Sequence, residues 1–202
     1  TAFWCQGYSE PESGSDLASL TMSAVEDGED FIRNGTKIWT THANVANWIF
    51  CLVRTSRETK QQQGITFLLI DMTTPGIDVS PIVSLTGEHI QNSIFFTDVR
   101  VPKKNVVGKT GGGWTVAKYL LEFERGGTAY APGLQNSLAS IRRFAANMPG
   151  DHTEKLIDDP LFAAKLAAIS IKVATLEIFE LQAMNSATPG IAASIMKIFG
   201  TE

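Results

Sequence analysis

Three short stretches of this chain hold side chains whose types and spacing could do chemistry. The first is YSEPESGSD, residues 8–16. Proline, glycine and hydroxyl residues build bends whose backbone N–H groups can converge on an anion. Ser9, Ser13 and Ser15 add hydroxyl donors, although composition alone favours a plain surface loop. The second is GTKIWTTHANVANW, residues 35–48. Trp39 lies between polar neighbours, where an indole can be half-buried against a flat ligand; the alternative is a core tryptophan with its N–H satisfied inside. The third is YLLEFERGGTAY, residues 119–130. Glu122 and Glu124 are two apart, about 200° around a helix, so the two carboxylates cannot serve one site. Glu122 meets Arg125 at i+3, an ordinary contact worth about 0.2–0.5 kcal/mol. At i+4 from Glu124 the sequence has the uncharged Thr128. Gly126 and Gly127 inside a helix each cost about 1 kcal/mol against alanine. That cost points either to close approach of a backbone or bulky ligand, or to a kink with both acids solvated.

The elements that must position these residues change period along the chain. Residues 1–108 read as β structure. SLTMSAV (19–25) alternates, with Leu20, Met22 and Ala24 on one face. DFIRNGTKIWTT sets an Asn34-Gly35 pair between two short apolar runs, which predicts a hairpin there. NWIFCLVRT (47–55) and GITFLLIDM (64–72) are dense apolar runs that fit strands buried on both faces. IDVSPIVS and NSIFFTDVRVP follow, with turns at Gly64, Pro75-Gly76, Gly87 and Pro102. At least six strands at this spacing predict an antiparallel β-barrel or sandwich, closed or nearly so.

Residues 109–202 read as helices. Leu134, Leu138, Ile141, Ala145 and Met148 form one helical stripe; Phe162, Leu166, Ile169, Val173, Leu176 and Phe179 form another. Pro149-Gly150 ends the first of these helices, Asp159-Pro160 starts the second as N-cap acid and first-position proline, and a third begins after Pro189-Gly190. The fold class is therefore α+β: a β domain, then an incomplete antiparallel α-helical bundle.

Charge narrows the function classes. The net charge is -4, and no run of lysines or arginines points to nucleic acid or an anionic membrane surface. No apolar run approaches the roughly 18 residues of a membrane span, and no signal peptide opens the chain. Cys5 and Cys51 lie outside any CxxC and read as buried thiols of a reducing, cytoplasmic protein. His42, His89 and His152 are scattered without metal-ligand spacing. The chain starts without Met inside an apolar stretch and stops at SIMKIFGTE, so a partial chain is expected.

Taken together, the motifs resemble those of the acyl-CoA dehydrogenase family of flavoproteins, over essentially the whole chain. Ser9-Glu10-Pro11-x-x-Gly14-Ser15-Asp16 resembles the family's flavin-loop signature, and Gly35-x-Lys37-x-Trp39-Thr40-Thr41 its second flavin segment. Phe96-x-x-Val99-x-Val101-Pro102 is similar to the end of its middle domain, and Gly113-Trp114 with Leu121 and Arg125 to the first helix of its C-terminal bundle. CQGYSEP and FERGG resemble the bacterial type that acts on long, branched, dicarboxylic or steroid-derived acyl-CoAs. The resemblance implies a middle β domain at 1–108 that binds flavin and acyl-CoA, and the first bundle helices at 109–202.

It also implies site residues. Gln6, Tyr8 and Ser9 would contact the isoalloxazine, partly through backbone groups, and Gly14 and Ser15 would lie near flavin or the pantetheine of the substrate. Trp39 would stand against the ring, with Thr40 beside it and Thr41 bonding near N5. Glu122 and Arg125 match positions that contact the CoA ester. The cofactor would be FAD and the reaction α,β-dehydrogenation of an acyl-CoA thioester. A carboxylate takes the α proton there, either Glu124, which is favoured, or an acid beyond residue 202. The electron acceptor would be an electron-transfer flavoprotein, and the assembly a homo- or hetero-oligomer. A non-catalytic subunit or pseudoenzyme of the same fold is the alternative; an acyl-CoA oxidase, which would consume oxygen and release peroxide, ranks below it. The chain departs from the family pattern at Glu12-Ser13, where Gly-Ala is usual, and at Thr40, His42 and Ala43, where Ile, Asn and Gly are usual. Early in the second bundle helix, where relatives often carry an arginine, only Lys165 is basic.

Overall fold

The computed structural model describes residues 2–126, 129–185 and 190–201, without the side chain of Arg125. The chain divides into two compact units, Thr1–Lys118 and Tyr119–Glu202.

The first unit is one eight-stranded sheet. Its strands are β1 (Trp4–Gly7), β2 (Ser23–Asp27), β3 (Asp30–Thr41), β4 (Trp48–Arg54), β5 (Ile65–Asp71), β6 (Ile77–Val83), β7 (His89–Pro102) and β8 (Val106–Val107). They run in the order β6-β7-β3-β2-β4-β5-β8, with β1 added parallel to β4. Most pairs are antiparallel. One apolar core joins Cys5, Ala24, Phe31, Ile49, Cys51, Leu68, Ile94, Phe96 and Val101, so strands from both ends of that order curl around a shared interior. The two dense apolar runs became β4 and β5, buried along nearly their whole length. Leu20, Met22 and Ala24 share the buried face as their alternation predicts, although the strand itself starts only at Ser23. Burial pushes the Cys5 thiol up to about 12, with Cys51 adding to the shift. Both cysteines are free and buried, as inert core thiols are.

The predicted hairpin at Asn34-Gly35 does not form. Both residues lie inside the twelve-residue β3. The turn that joins β2 to β3 is centred instead on Gly28, whose φ of 60° only glycine adopts freely. Asn34 faces a bulge in β7: its Nδ2 donates to Asp98 Oδ1 at 3.0 Å and its Oδ1 accepts from Asp98 N at 2.9 Å. Long pairing with β7 thus overrode a local turn signal.

The second unit holds most of α1 (Gly113–Gly126) and all of α2 (Ala131–Ala145), α3 (Pro160–Met184) and α4 (Gly190–Thr201). Asp159 caps α3 as expected: its Oδ1 accepts from Leu161 N and Phe162 N, both at 2.9 Å, with Pro160 at the first turn. The buried Glu180 of α3 caps a neighbour, accepting from Tyr130 N at 2.6 Å and Ala131 N at 3.2 Å where α2 begins. Gly127, Thr128 and Pro189, named in the sequence reading, lie outside the described residues.

The two predicted stripes are only partly buried. Leu138, Ala145, Leu166, Val173 and Leu176 are inside, but Ile141, Met148 and Ile169 are exposed. Met148 lies past the end of α2, and α3 is apolar on nearly every side, so a period of 3.6 does not select one face of it. Ile171, Ile178, Leu181, Ile191 and Phe199 also face outward. With this much apolar helix surface the chain is expected to self-associate; light scattering on the 202-residue protein checks this, and a monodisperse monomer contradicts it. Among the described residues no helix is long and apolar enough to cross a membrane.

Candidate functional site

The bend of residues 8–16 is tied down at both of its edges. Glu10 N donates to Ser13 O at 2.7 Å and Ser13 N to Glu10 O at 3.0 Å, so these two N–H groups are spent inside the turn and are not available to an anion. Ser13 Oγ is likewise turned inward, donating to Asp16 O at 3.0 Å. Ser15 and Gly14 are exposed and Ser9 is half-buried.

The anchor is Glu10, a member of the motif to which its residue type alone assigns no role. Glu10 is buried, and its carboxylate accepts from Thr21 N at 2.7 Å, Thr21 Oγ1 at 3.1 Å and Met22 N at 3.1 Å. It also pairs with the fully buried Lys37 Nζ at 2.9 Å. Lys37 Nζ donates to Tyr8 O at 2.9 Å as well. One ion pair thereby fastens the bend to β2 and β3. Burial alone would raise the Glu10 carboxyl; the Lys37 charge and the N–H groups of Thr21 and Met22 outweigh it and hold the group below its usual value. Burial pushes the Lys37 ammonium down, opposed by the charge of Glu10. Lys37 was legible in principle: alternation along β3 puts it on the core face with Phe31 and Arg33, where a lysine demands a buried acid.

The bend then meets the tryptophan segment directly. Ile38 N donates to Ser9 O at 3.0 Å. Immediately after this bond β3 bulges: Lys37 opposes Ile94 and Thr40 opposes Asn92, so β3 spends one extra residue. Trp39 occupies the bulge with φ of 61° and is 58 % exposed. A left-handed conformation in a bulky residue costs on the order of 1–3 kcal/mol and persists only where its surroundings over-determine it. What that conformation achieves is to turn an indole outward beside the bend. Behind them Tyr8 is buried edge-on against Phe50 and Phe67, at 5.9 and 6.3 Å between ring centroids. Thr40 is buried, and its Oγ1 has no hydrogen-bond partner among the described residues. Thr41 is exposed and Gln6 half-buried.

Tyr8, Ser9 and Trp39 are thus brought together by hydrogen bonds through Lys37 and Ile38. Gln6 reaches the same bend along β1, and Gly14 and Ser15 stand on its outer side. An outward indole on a strained bulge, next to a rigid bend with a half-buried serine and glutamine, is a surface suited to a planar polar ring. The residues present therefore fit a flavin. In the helical unit, Glu122 and Glu124 are both exposed on α1, and the Arg125 side chain lies outside those described. Among the described residues no cluster of three or more His, Cys, Asp or Glu side chains is placed to hold a metal.

Two family models match this chain: the acyl-CoA dehydrogenase middle domain over residues 5–99 and the acyl-CoA dehydrogenase C-terminal domain over residues 111–202. The chain belongs to the acyl-CoA dehydrogenase family. It is similar to the acyl-CoA dehydrogenase IpdE1 of Mycobacterium tuberculosis, at 41 % identity over 172 residues, covering 82 % of this chain and 42 % of the relative. Among solved structures it resembles a chain of the ChsE4-ChsE5 complex from Mycobacterium tuberculosis, with a TM-score of 0.86, 31 % identity, and coverage of 99 % of this chain and 52 % of that one. It also resembles the Tcur3481-Tcur3483 steroid ACAD, with a TM-score of 0.80, 30 % identity and coverage of 99 % and 52 %. The chain spans about half the length of these relatives.

Proposed function

We propose that the protein of which this chain forms the described part carries out FAD-dependent α,β-dehydrogenation of an acyl-CoA thioester, acting in the cytoplasm and passing electrons to an electron-transfer flavoprotein. Family membership supports the reaction class. The observation that carries the site assignment is the outward Trp39, held by a bulge beside the Tyr8–Ser9 bend. When bound, the flavin supplies the two-electron acceptor chemistry for the hydride that leaves the β carbon.

The chain's own residues do the rest. Trp39 and Thr41 bind one side of the ring, with Thr40 between them. Gln6, Tyr8 and Ser9 meet it from the bend, and Gly14 and Ser15 meet its edge or the pantetheine. Glu122 and Arg125 hold the CoA ester. Glu124 takes the α proton; the thioester carbonyl must be polarised for that proton to leave, and water must be kept from the base. The substrate is a long, branched, dicarboxylic or steroid-derived acyl-CoA, and the likeness to a steroid ACAD supports the last of these. The free, buried Cys5 and Cys51 accord with a reducing cytoplasm.

The assay is the visible flavin absorbance of the holoprotein on adding an acyl-CoA without an external acceptor. Bleaching is expected; a flavin spectrum that no acyl-CoA changes contradicts the reading. A second reading, a non-catalytic subunit of a two-chain flavoenzyme, has one observation in its favour: a similar solved structure is a complex named for two chains, ChsE4-ChsE5. Under that reading the holoprotein lacks turnover on its own, so Glu124→Gln has no turnover to lose.

A further inference from the structure

Trp39 needs an explanation for how it stays in a conformation it disfavours, and the residues already assigned to the site do not give one. Two positions in the exposed stretch are left-handed, Trp39 at φ of 61° and His42 at φ of 59°. Between them lie the exposed Thr41 and the buried Thr40. Directly opposite Thr40 on β7 stands Asn92, which is fully buried.

The Asn92 amide braces this stretch. Its Nδ2 donates to Thr40 O at 3.1 Å and to Ile90 O at 3.2 Å. Ile90 O also accepts from His42 N at 2.8 Å. The same side chain therefore holds the carbonyl that follows Trp39 and the carbonyl that holds His42. With both amide hydrogens spent on carbonyls, Asn92 Oδ1 can only accept. Its partner is His89 Nε2 at 2.7 Å, so His89 must carry a proton on Nε2. The reverse amide orientation would aim Oδ1 at two carbonyl oxygens and is excluded by repulsion.

We propose that Asn92, oriented by a proton on His89 Nε2, is the positioning residue that fixes the Trp39–His42 stretch and thereby sets how the indole meets the cofactor. Asn92 does not touch substrate or cofactor; it acts through the backbone of Thr40. This rests on the flavin reading of the site for its function, but the clamp itself is a property of the protein without flavin.

The test uses a pair of substitutions at His89, which is exposed. His89→Gln places an amide N–H donor at the same distance from the backbone as Nε2. His89→Glu has the same reach but, when ionised, offers only acceptors to Asn92 Oδ1, so the amide loses the donor that orients it and its hold on both carbonyls weakens. Asn92→Ala removes the brace outright. The readout is the near-UV circular dichroism of Trp39 without flavin, taken as parent minus Trp39→Phe, with far-UV dichroism to report the fold and an FAD titration alongside.

His89→Glu and Asn92→Ala are expected to lose most of the Trp39 signal and to weaken FAD binding at least tenfold, while His89→Gln keeps both near the parent. A Trp39 signal unchanged in His89→Glu, or lost equally in His89→Gln, overturns the proposal. Should Asn92→Ala fail to fold, the His89 pair still decides. Should the parent protein bind no FAD, the flavin reading fails, and the Trp39 dichroism still decides whether the clamp exists.

Discussion

Glu10→Gln destabilises the β unit by about 3–5 kcal/mol, a large part of the 5–15 kcal/mol that holds a typical domain together. The carboxylate uses both oxygens: it accepts from Thr21 N, Thr21 Oγ1 and Met22 N, and it faces Lys37 Nζ. Glutamine offers one oxygen, and its amide nitrogen must then confront either those N–H donors or the ammonium. Lys37, with no exposed surface, keeps only Tyr8 O. An uncompensated buried charge is the expensive outcome, so removing both charges with Glu10→Gln and Lys37→Met recovers part of the loss. Urea unfolding of the single and double variants measures it; a single-variant loss under about 1 kcal/mol contradicts the anchor role.

The pH dependence has a definite sign. The folded Glu10 carboxyl lies below its ordinary value of 4.5. Its contribution is therefore complete above pH 4.5 and is lost as pH falls through the lower folded value. The parent weakens over that acid range, and Glu10→Gln, starting lower, lacks that part of the decline.

Glu124→Gln lowers turnover by about a hundredfold to ten-thousandfold, the range that general-base catalysis supplies. The exchange keeps size and removes the proton acceptor, while Trp39 and the bend remain untouched. Flavin content and the spectrum of the oxidised holoprotein are expected to match the parent, and the loss to fall on kcat, because the proton is taken only in the transition state. Unchanged turnover would assign the α proton to another carboxylate. Glu122→Gln provides the contrast. On the proposed role of Glu122 in holding the CoA ester, its loss is expected to fall mainly on KM.

How much of this could be read in advance depended on range. The runs 47–55 and 64–72 gave β4 and β5 because continuous apolar sequence leaves few other choices. Asp159-Pro160 gave the start of α3 because an N-cap acid acts within three residues. Asn34-Gly35 misled because the preference of that pair for a turn is small beside the pairing of a twelve-residue strand with β7. At the site, Trp39 was visible as an aromatic among polar neighbours, but its left-handed backbone was not, because nothing in the residue type announces it. The Glu10–Lys37 pair spans 27 positions and the Asn92–Thr40 contact 52, so neither leaves a local pattern. The motif SEPxxGSD located the bend, whereas the anchor inside it needed coordinates.

The central claim is that the bend and the bulge form one wall for a flavin, and the fluorescence of Trp39 reads it most directly. FAD is titrated into the protein and into Trp39→Phe, and the difference isolates one indole from Trp4, Trp48 and Trp114. Saturable quenching that belongs to Trp39 is the predicted result. Quenching that is absent, or equal in the two proteins, would contradict it.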